Sequence, residues 1–480
     1  MLVTYIEAYD YNDLYIRLFK QYPHLIEINA SNLTDRSLDE LQATSASGLR
    51  VVELASYISE GISRRHMKAF ISKCPKLVSL SLFGDVNWIS DSTVQAIADH
   101  CSRLEKLTLS CGDGITNISV SFLLSLSHLR ELDIMYCPGL TISGVQTLVS
   151  SVPNIESLCF DIGEKTDKDP DPIIIFQTLG SCCPRLRVLK CSSLAASVYD
   201  DGSVMPVFAG CPLLEEFEVQ LGDEQSPNDQ VLYALGSCCP RLKTVELGYR
   251  EADFTDQGLI ALSRGCPDLT DLSLHHAPNI TDITILSFAG HCHKLKSICI
   301  AKNNLITSRA VCVLLKANPG VTSISLDEGL LLNEEVLLCL ALHCRKLVYL
   351  KLAGCRNLTE AMLSTLFTRC TRLENLHLET AENVTDALIE TIILHCKHLV
   401  QIHVSGCPNV TGLAVSHLVR LGKRLTWIHL TYCNLSMTDE FSRYYAMLES
   451  RYTNAANDKP YAYLSRTHWS TAWTAPMKSY

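Results

Sequence analysis

Long apolar runs are missing from this sequence: none reaches the roughly 18 residues that a membrane-spanning helix needs. The start, MLVTYIEAYD, lacks a basic segment followed by an apolar stretch, so no secretory signal is expected. Charge is scarce at 19% of residues, and its balance is acidic, with a formal net charge of −10. That disfavours general binding to nucleic acid or to anionic membranes. Catalytic signatures are also missing: there is no G-x-x-x-x-G-K-[ST], H-E-x-x-H, C-x-x-C or G-x-S-x-G. An enzyme therefore ranks behind the binding roles, and no cofactor is expected.

What is present is apolar and rich in sulfur. Hydrophobic residues make up 47% of the 480, which describes a folded, well-buried chain. Twenty-two cysteines without a secretory signal read as reduced, buried thiols of the cytosol or nucleus. One stretch invites a different reading. In "CKHLVQIHVSGCPNVTGLAVSHL" (396–418), Cys396, His398, His403 and Cys407 crowd together in the manner of a metal site.

The preceding stretch, "CTRLENLHLETAENVTDALIETIILHC" (370–396), shares its frame of C-x-x-L-x-x-L/I-x-L/V with that segment. Extended in both directions, the first Leu-type anchor of the frame falls at Leu25, Leu49, Leu77, Leu104, Leu129, Ile155, Leu186, Leu214, Leu242, Leu269, Leu295, Val321, Leu347, Leu373, Leu399 and Leu425. From Leu269 onward every step is 26 residues. L-x-x-L-x-L ends in alternation, which predicts a short strand with one face in and one out. A Thr-Asp or Ser-Asp step follows at Thr34, Ser90, Thr255, Thr281, Thr385 and Thr438. Thr or Ser suits a helix N-cap and Asp suits its first turn. A strand and a helix in every repeat predict an α/β solenoid of about sixteen repeats, with a parallel sheet on the concave face and helices outside. No repeat buries its own apolar face, so residues 1–450 are expected to fold as one array. The first helix, over 1–21, would belong to an incomplete first repeat. The aromatic-rich tail, 451–480, would cap the last repeat or carry a linear motif.

The repeat dissolves the metal reading. Cys396 and Cys407 are separated by a strand of about six residues, about 20 Å at ~3.3 Å each. Zinc ligands must lie within about 2.0–2.3 Å of one ion. Ten repeats carry cysteine three residues before the anchor, from Cys74 to Cys396, as a small apolar plug between stacked helix ends. The seven N-x-S/T sequons, at Asn32, Asn117, Asn279, Asn357, Asn383, Asn409 and Asn434, belong mostly to the same recurring frame.

With "CPDLTDLSLHHAPNITDITILSFAGHC" (266–292) on the page, the frame resembles the cysteine-containing leucine-rich repeat of the F-box/LRR proteins, with free-standing mitotic-exit antagonists as close relatives. The resemblance covers about residues 22–450. It implies that the repeats select a protein substrate, while an N-terminal F-box docks a Skp-type adaptor and a cullin-based ubiquitin ligase. The F-box itself is not seen: the first anchor is already Leu25, and "YNDLYIRLFKQYPHL" reads as a repeat helix. A free-standing scaffold or inhibitor acting on a protein target is the alternative.

Residues two, four and six after each anchor should face the concavity. Glu131, Asp133, Asp161, Glu216, Glu218, Glu246 and Asp271 make the middle of that face acidic. Like charges on adjacent strands repel, so a basic partner is one reading and a solvated acidic surface the other. Further on, the same positions hold Tyr349, Lys351, His377, His403, Trp427 and His429. The three histidines share one offset, which predicts a ladder of rings about 5 Å apart whose mutual repulsion lowers their proton affinity. Trp427 and Tyr349 beside them make this patch the stronger interface candidate. The rhythm breaks at "DIGEKTDKDPDP" (161–172) and "LGDEQSPNDQ" (221–230), insertions that would collect on one rim.

Overall fold

The structure is a computed structural model. It describes residues 5–6, 12–56, 61–84, 88–110, 114–161, 173–192, 204–219, 228–246, 254–301 except 276 and 278, 303–327, 333–353 and 358–434. The insertions (apart from Asp161 and residues 228–230), the step at Thr438 and the tail lie outside the described residues. The chain forms two compact units. One runs from Met1 to Ser297 with Asn303–Ile306, and the other takes Ile298–Lys302 and everything from Thr307.

In both units a strand begins two residues after each of the sixteen anchors, from Glu27–Ser31 to Trp427–Thr431. The anchors are the reason. Fifteen of them are buried, and Leu25, at the start, is half-buried. Each strand then alternates, as in Asn375–Glu379, where Leu376 and Leu378 are fully buried and Asn375, His377 and Glu379 are not. Fully burying such a side chain contributes about 1.5–3 kcal/mol, so several inward residues per repeat outweigh local propensity. All recorded ladders are parallel, because each strand returns through its own helix. The fold is an α/β leucine-rich-repeat solenoid.

The helices start where the Thr-Asp steps place them. Thr34, Ser90, Thr255, Thr281 and Thr385 are N-caps, and the hydroxyls of Thr255, Thr281 and Thr385 accept a first-turn N–H. The aspartate does more than sit near a helix dipole. Asp256 accepts both the backbone N–H and the hydroxyl of Thr281, one repeat later, at 2.9 and 2.7 Å. Asp91 does the same for Thr116, Asp229 for Thr255 and Asp386 for Thr411. Burial alone would raise the Asp256 carboxyl, but bonds from Thr281 and Thr284 overcome it and hold the group below its ordinary value.

The repeat cysteines are likewise more than apolar plugs. All ten are buried, and in many the thiol points at the carbonyl of the preceding repeat's cysteine: Cys266 to Cys239 at 3.4 Å, Cys292 to Cys266 at 3.6 Å, Cys396 to Cys370 at 3.5 Å. An S–H is a weak donor, and here it adds to a carbonyl that already accepts a backbone N–H, from Leu242 at Cys239 and from Leu269 at Cys266. The sequon asparagines Asn383 and Asn409 also serve the stack, donating to Leu358 and Glu382 carbonyls.

One detail differs from expectation. The helix expected over 1–21 occupies Asn12–Gln21, and a two-residue strand, Tyr5–Ile6, pairs in parallel with Glu27–Ser31 ahead of it. In the middle repeats, helices touch backbone to backbone. A β-carbon at Gly210 or Gly265 would run into the carbonyl oxygen of Gly180 or Gly236.

Candidate functional site

In the C-terminal unit four consecutive strands, Tyr349–Ala353, Asn375–Glu379, Gln401–Ser405 and Trp427–Thr431, lie in one register. Two rows of side chains cross their open face, the one away from the buried leucines. Tyr349, Asn375, Gln401 and Trp427 form the first, and Lys351, His377, His403 and His429 the second. Trp427 is 38% exposed, a large apolar group available to a partner.

The histidine row is a ladder as expected, but an uneven one. Ring centroids of His377 and His403 are 5.2 Å apart, and those of His403 and His429 only 3.9 Å. The two Nδ1 atoms of the closer pair are 3.0 Å apart, so one ring donates to the other. Tyr349, in the neighbouring row, lies with its ring 5.4 Å from His377. The His403 pKa is pushed down to about 3, first by burial and then by His429, His377 and Lys351. Burial also lowers that of His429. At His403 desolvation leads and the mutual repulsion expected from spacing follows it.

Glu379 was not singled out in the sequence, although it occupies the sixth position after its anchor. A carboxylate oxygen of Glu379 and one ring nitrogen each of His377 and His403 lie within 4.8 Å of one another. The cluster read first from the sequence is arranged differently. Cys396 and Cys407 are buried, with the Cys407 thiol turned to the Ser405 carbonyl at 3.5 Å, and His398 accepts from Arg424.

The acidic positions of the N-terminal unit divide into kinds. Glu131 pairs with Lys106 at 2.9 Å, and Glu216 and Glu218 both reach Lys190 at 3.4 Å. Both lysines occupy open-face offsets of the same frame, so the repulsion expected among the acids is partly neutralised within the sheet. Such exposed pairs contribute at most about 1 kcal/mol each. Asp161 is buried and accepts the backbone N–H of Tyr136 at 2.6 Å, a residue in left-handed conformation with φ of 59°. Asp133 accepts from the Met135 N–H at 3.1 Å, and burial, with Asp161 nearby, raises its pKa. Asp271 accepts the Thr270 hydroxyl at 2.5 Å. Glu246 ends the strand Thr244–Glu246, and its side chain lies outside the described residues.

No family model matches the chain. Curated sequences do. The F-box protein MAX2 of Arabidopsis thaliana is 22% identical over 236 residues, 38% of this chain and 34% of that protein. The F-box/LRR-repeat MAX2 homolog of Oryza sativa is 25% identical over 264 residues, 51% and 33%. The MAX2 homolog A of Petunia hybrida is 27% identical over 198 residues, 39% and 26%. The chain is a cysteine-containing leucine-rich-repeat protein. The leucine-rich repeats span about a third of the length of the F-box/LRR relatives they match. Among solved structures, this leucine-rich-repeat chain is similar to the yeast Rad7 and Elc1 complex (TM-score 0.44, 16% identity, 72% of this chain and 89% of that one). It is also similar to a Leptospira interrogans LRR protein (TM-score 0.41, 15% identity, 92% and 98%).

Proposed function

We propose that this chain is a protein-recognition module, and that it is the substrate-selecting part of an SCF-type ubiquitin ligase receptor. The observation that carries recognition is the aligned open face of the C-terminal unit, where Trp427, Tyr349 and the histidine row present aromatic surface at one register. Aromatic anchors on a rigid sheet supply contact area at little entropic cost. The ligase role is supported by similarity to F-box/LRR proteins. In this reading the partners are a protein substrate, a Skp-type adaptor and a cullin, and the setting is the cytosol or nucleus.

The test is affinity purification of the endogenous protein tagged at its C-terminus, followed by mass spectrometry. A Skp-type adaptor and a cullin at near-equal amounts would support the ligase role. Their absence, with one dominant protein partner, would replace it with a free-standing scaffold or inhibitor.

A further inference from the structure

The row of His377, His403 and His429, with Glu379 beside it, has the composition of a metal centre rather than of an ordinary surface. We propose that His377, Glu379 and His403 bind one divalent transition-metal ion of the zinc type on the open face of the C-terminal unit, leaving a coordination position open. This assignment stands independently of the ligase reading.

The backbone builds the donor set. His377 and His403 are direct partners across a parallel ladder, and Glu379 follows His377 by two residues, on the same face. Adjacent strands are spaced by about 4.8 Å and alternate residues by about 6.6 Å, so three side chains converge without any backbone distortion. Their ligand atoms already lie within 4.8 Å of one another. Ligands about 2.0–2.2 Å from a tetrahedral zinc ion are about 3.3–3.6 Å apart, a contraction that side-chain rotation provides. Two imidazoles and a carboxylate suit zinc or its neighbours better than the all-oxygen cages of calcium or magnesium.

His429 completes the arrangement from outside. Its Nδ1 lies 3.0 Å from the Nδ1 of His403. With His403 as the donor of that hydrogen bond, its ring is held in place and its Nε2 is left to the ion, the usual part of an outer partner. Lys351, opposite His377 in the register, works against the ion, and the Glu379 charge offsets it.

Cobalt(II), which reports its ligands in its absorption, tests this on the full chain after chelator treatment. One equivalent should bind with the weak visible bands of a nitrogen and oxygen site, and zinc should displace it. His403→Ala and Glu379→Gln should each weaken binding about tenfold or more, and His429→Ala about tenfold through the outer hydrogen bond. Cys396→Ser should change nothing. His403, Glu379 and His429 are half-buried and Cys396 is buried, and circular dichroism verifies that each variant folds. No cobalt uptake by the wild type would overturn the assignment. So would uptake that survives in the His377→Ala/His403→Ala double variant, or a thiolate charge-transfer band, either of which means adventitious binding elsewhere.

Discussion

His403 and His429 stand with ring centroids 3.9 Å apart and Nδ1 atoms at 3.0 Å, although 26 residues separate them in sequence. A pair that close tolerates one shared proton between the nitrogens and resists a second. Burial adds to that resistance and holds His403 near 3 against an ordinary 6.5.

The sign of the pH effect follows. The folded value is depressed, so the contribution to stability is whole above about 6.5 and is lost as pH falls from there toward 3. Urea midpoints of chelator-treated protein should decline across that window. In His403→Gln the decline should be shallower, and an identical decline in the variant would remove His403 as its source. Asp91 and Asp256, held below 3.8 by their hydrogen bonds, act only at the acid end, where their contribution disappears on protonation.

Asp256→Ala should destabilise the N-terminal unit by about 2–3 kcal/mol. It removes a charged acceptor and leaves the Thr281 N–H and hydroxyl without their partner at 2.9 and 2.7 Å. Chemical denaturation measures this directly, and a change below about 0.5 kcal/mol would mean water replaces the carboxylate without loss.

Replacing Gly265 by alanine normally gains about 1 kcal/mol in a helix. Here the new β-carbon meets the backbone oxygen of Gly236, which no rotamer change relieves. Overpacking costs about 1–3 kcal/mol, so Gly265→Ala should lower the thermal midpoint. A raised midpoint would show that the two helices separate freely.

The buried repeat thiols should be silent toward alkylating reagents. Burial pushes Cys266, Cys292, Cys370 and Cys396 up to about 12, far from the thiolate needed for reaction. Iodoacetamide at pH 8 followed by peptide mass spectrometry should find them unmodified in native protein and modified after unfolding. Native labelling at those four positions would contradict their placement.

Trp427→Ala should weaken binding of the captured partner about tenfold or more while leaving stability within about 1 kcal/mol, since the ring is only partly buried. Unchanged affinity would move the interface away from this row.

Much of this molecule is local and therefore readable. Where a strand starts depends on an anchor two residues back, and where a helix starts depends on a Thr or Ser cap, both within a few positions of chain. The in-and-out alternation that puts Trp427, His403 and His377 on one face is equally local, because the strand period is two. What tertiary structure alone decided is everything that joins one repeat to the next. Asp256 finds Thr281, Cys292 finds the Cys266 carbonyl, and Lys190 settles between Glu216 and Glu218 only once the strands stack. Glu379 joined the histidines in the same way. The repeat frame shows that it shares their face, but its distance from two ring nitrogens is set by the rotamers that the stacked neighbours permit. The depth of burial that governs His403 has the same origin, since desolvation is a property of the packed surroundings and not of the residue.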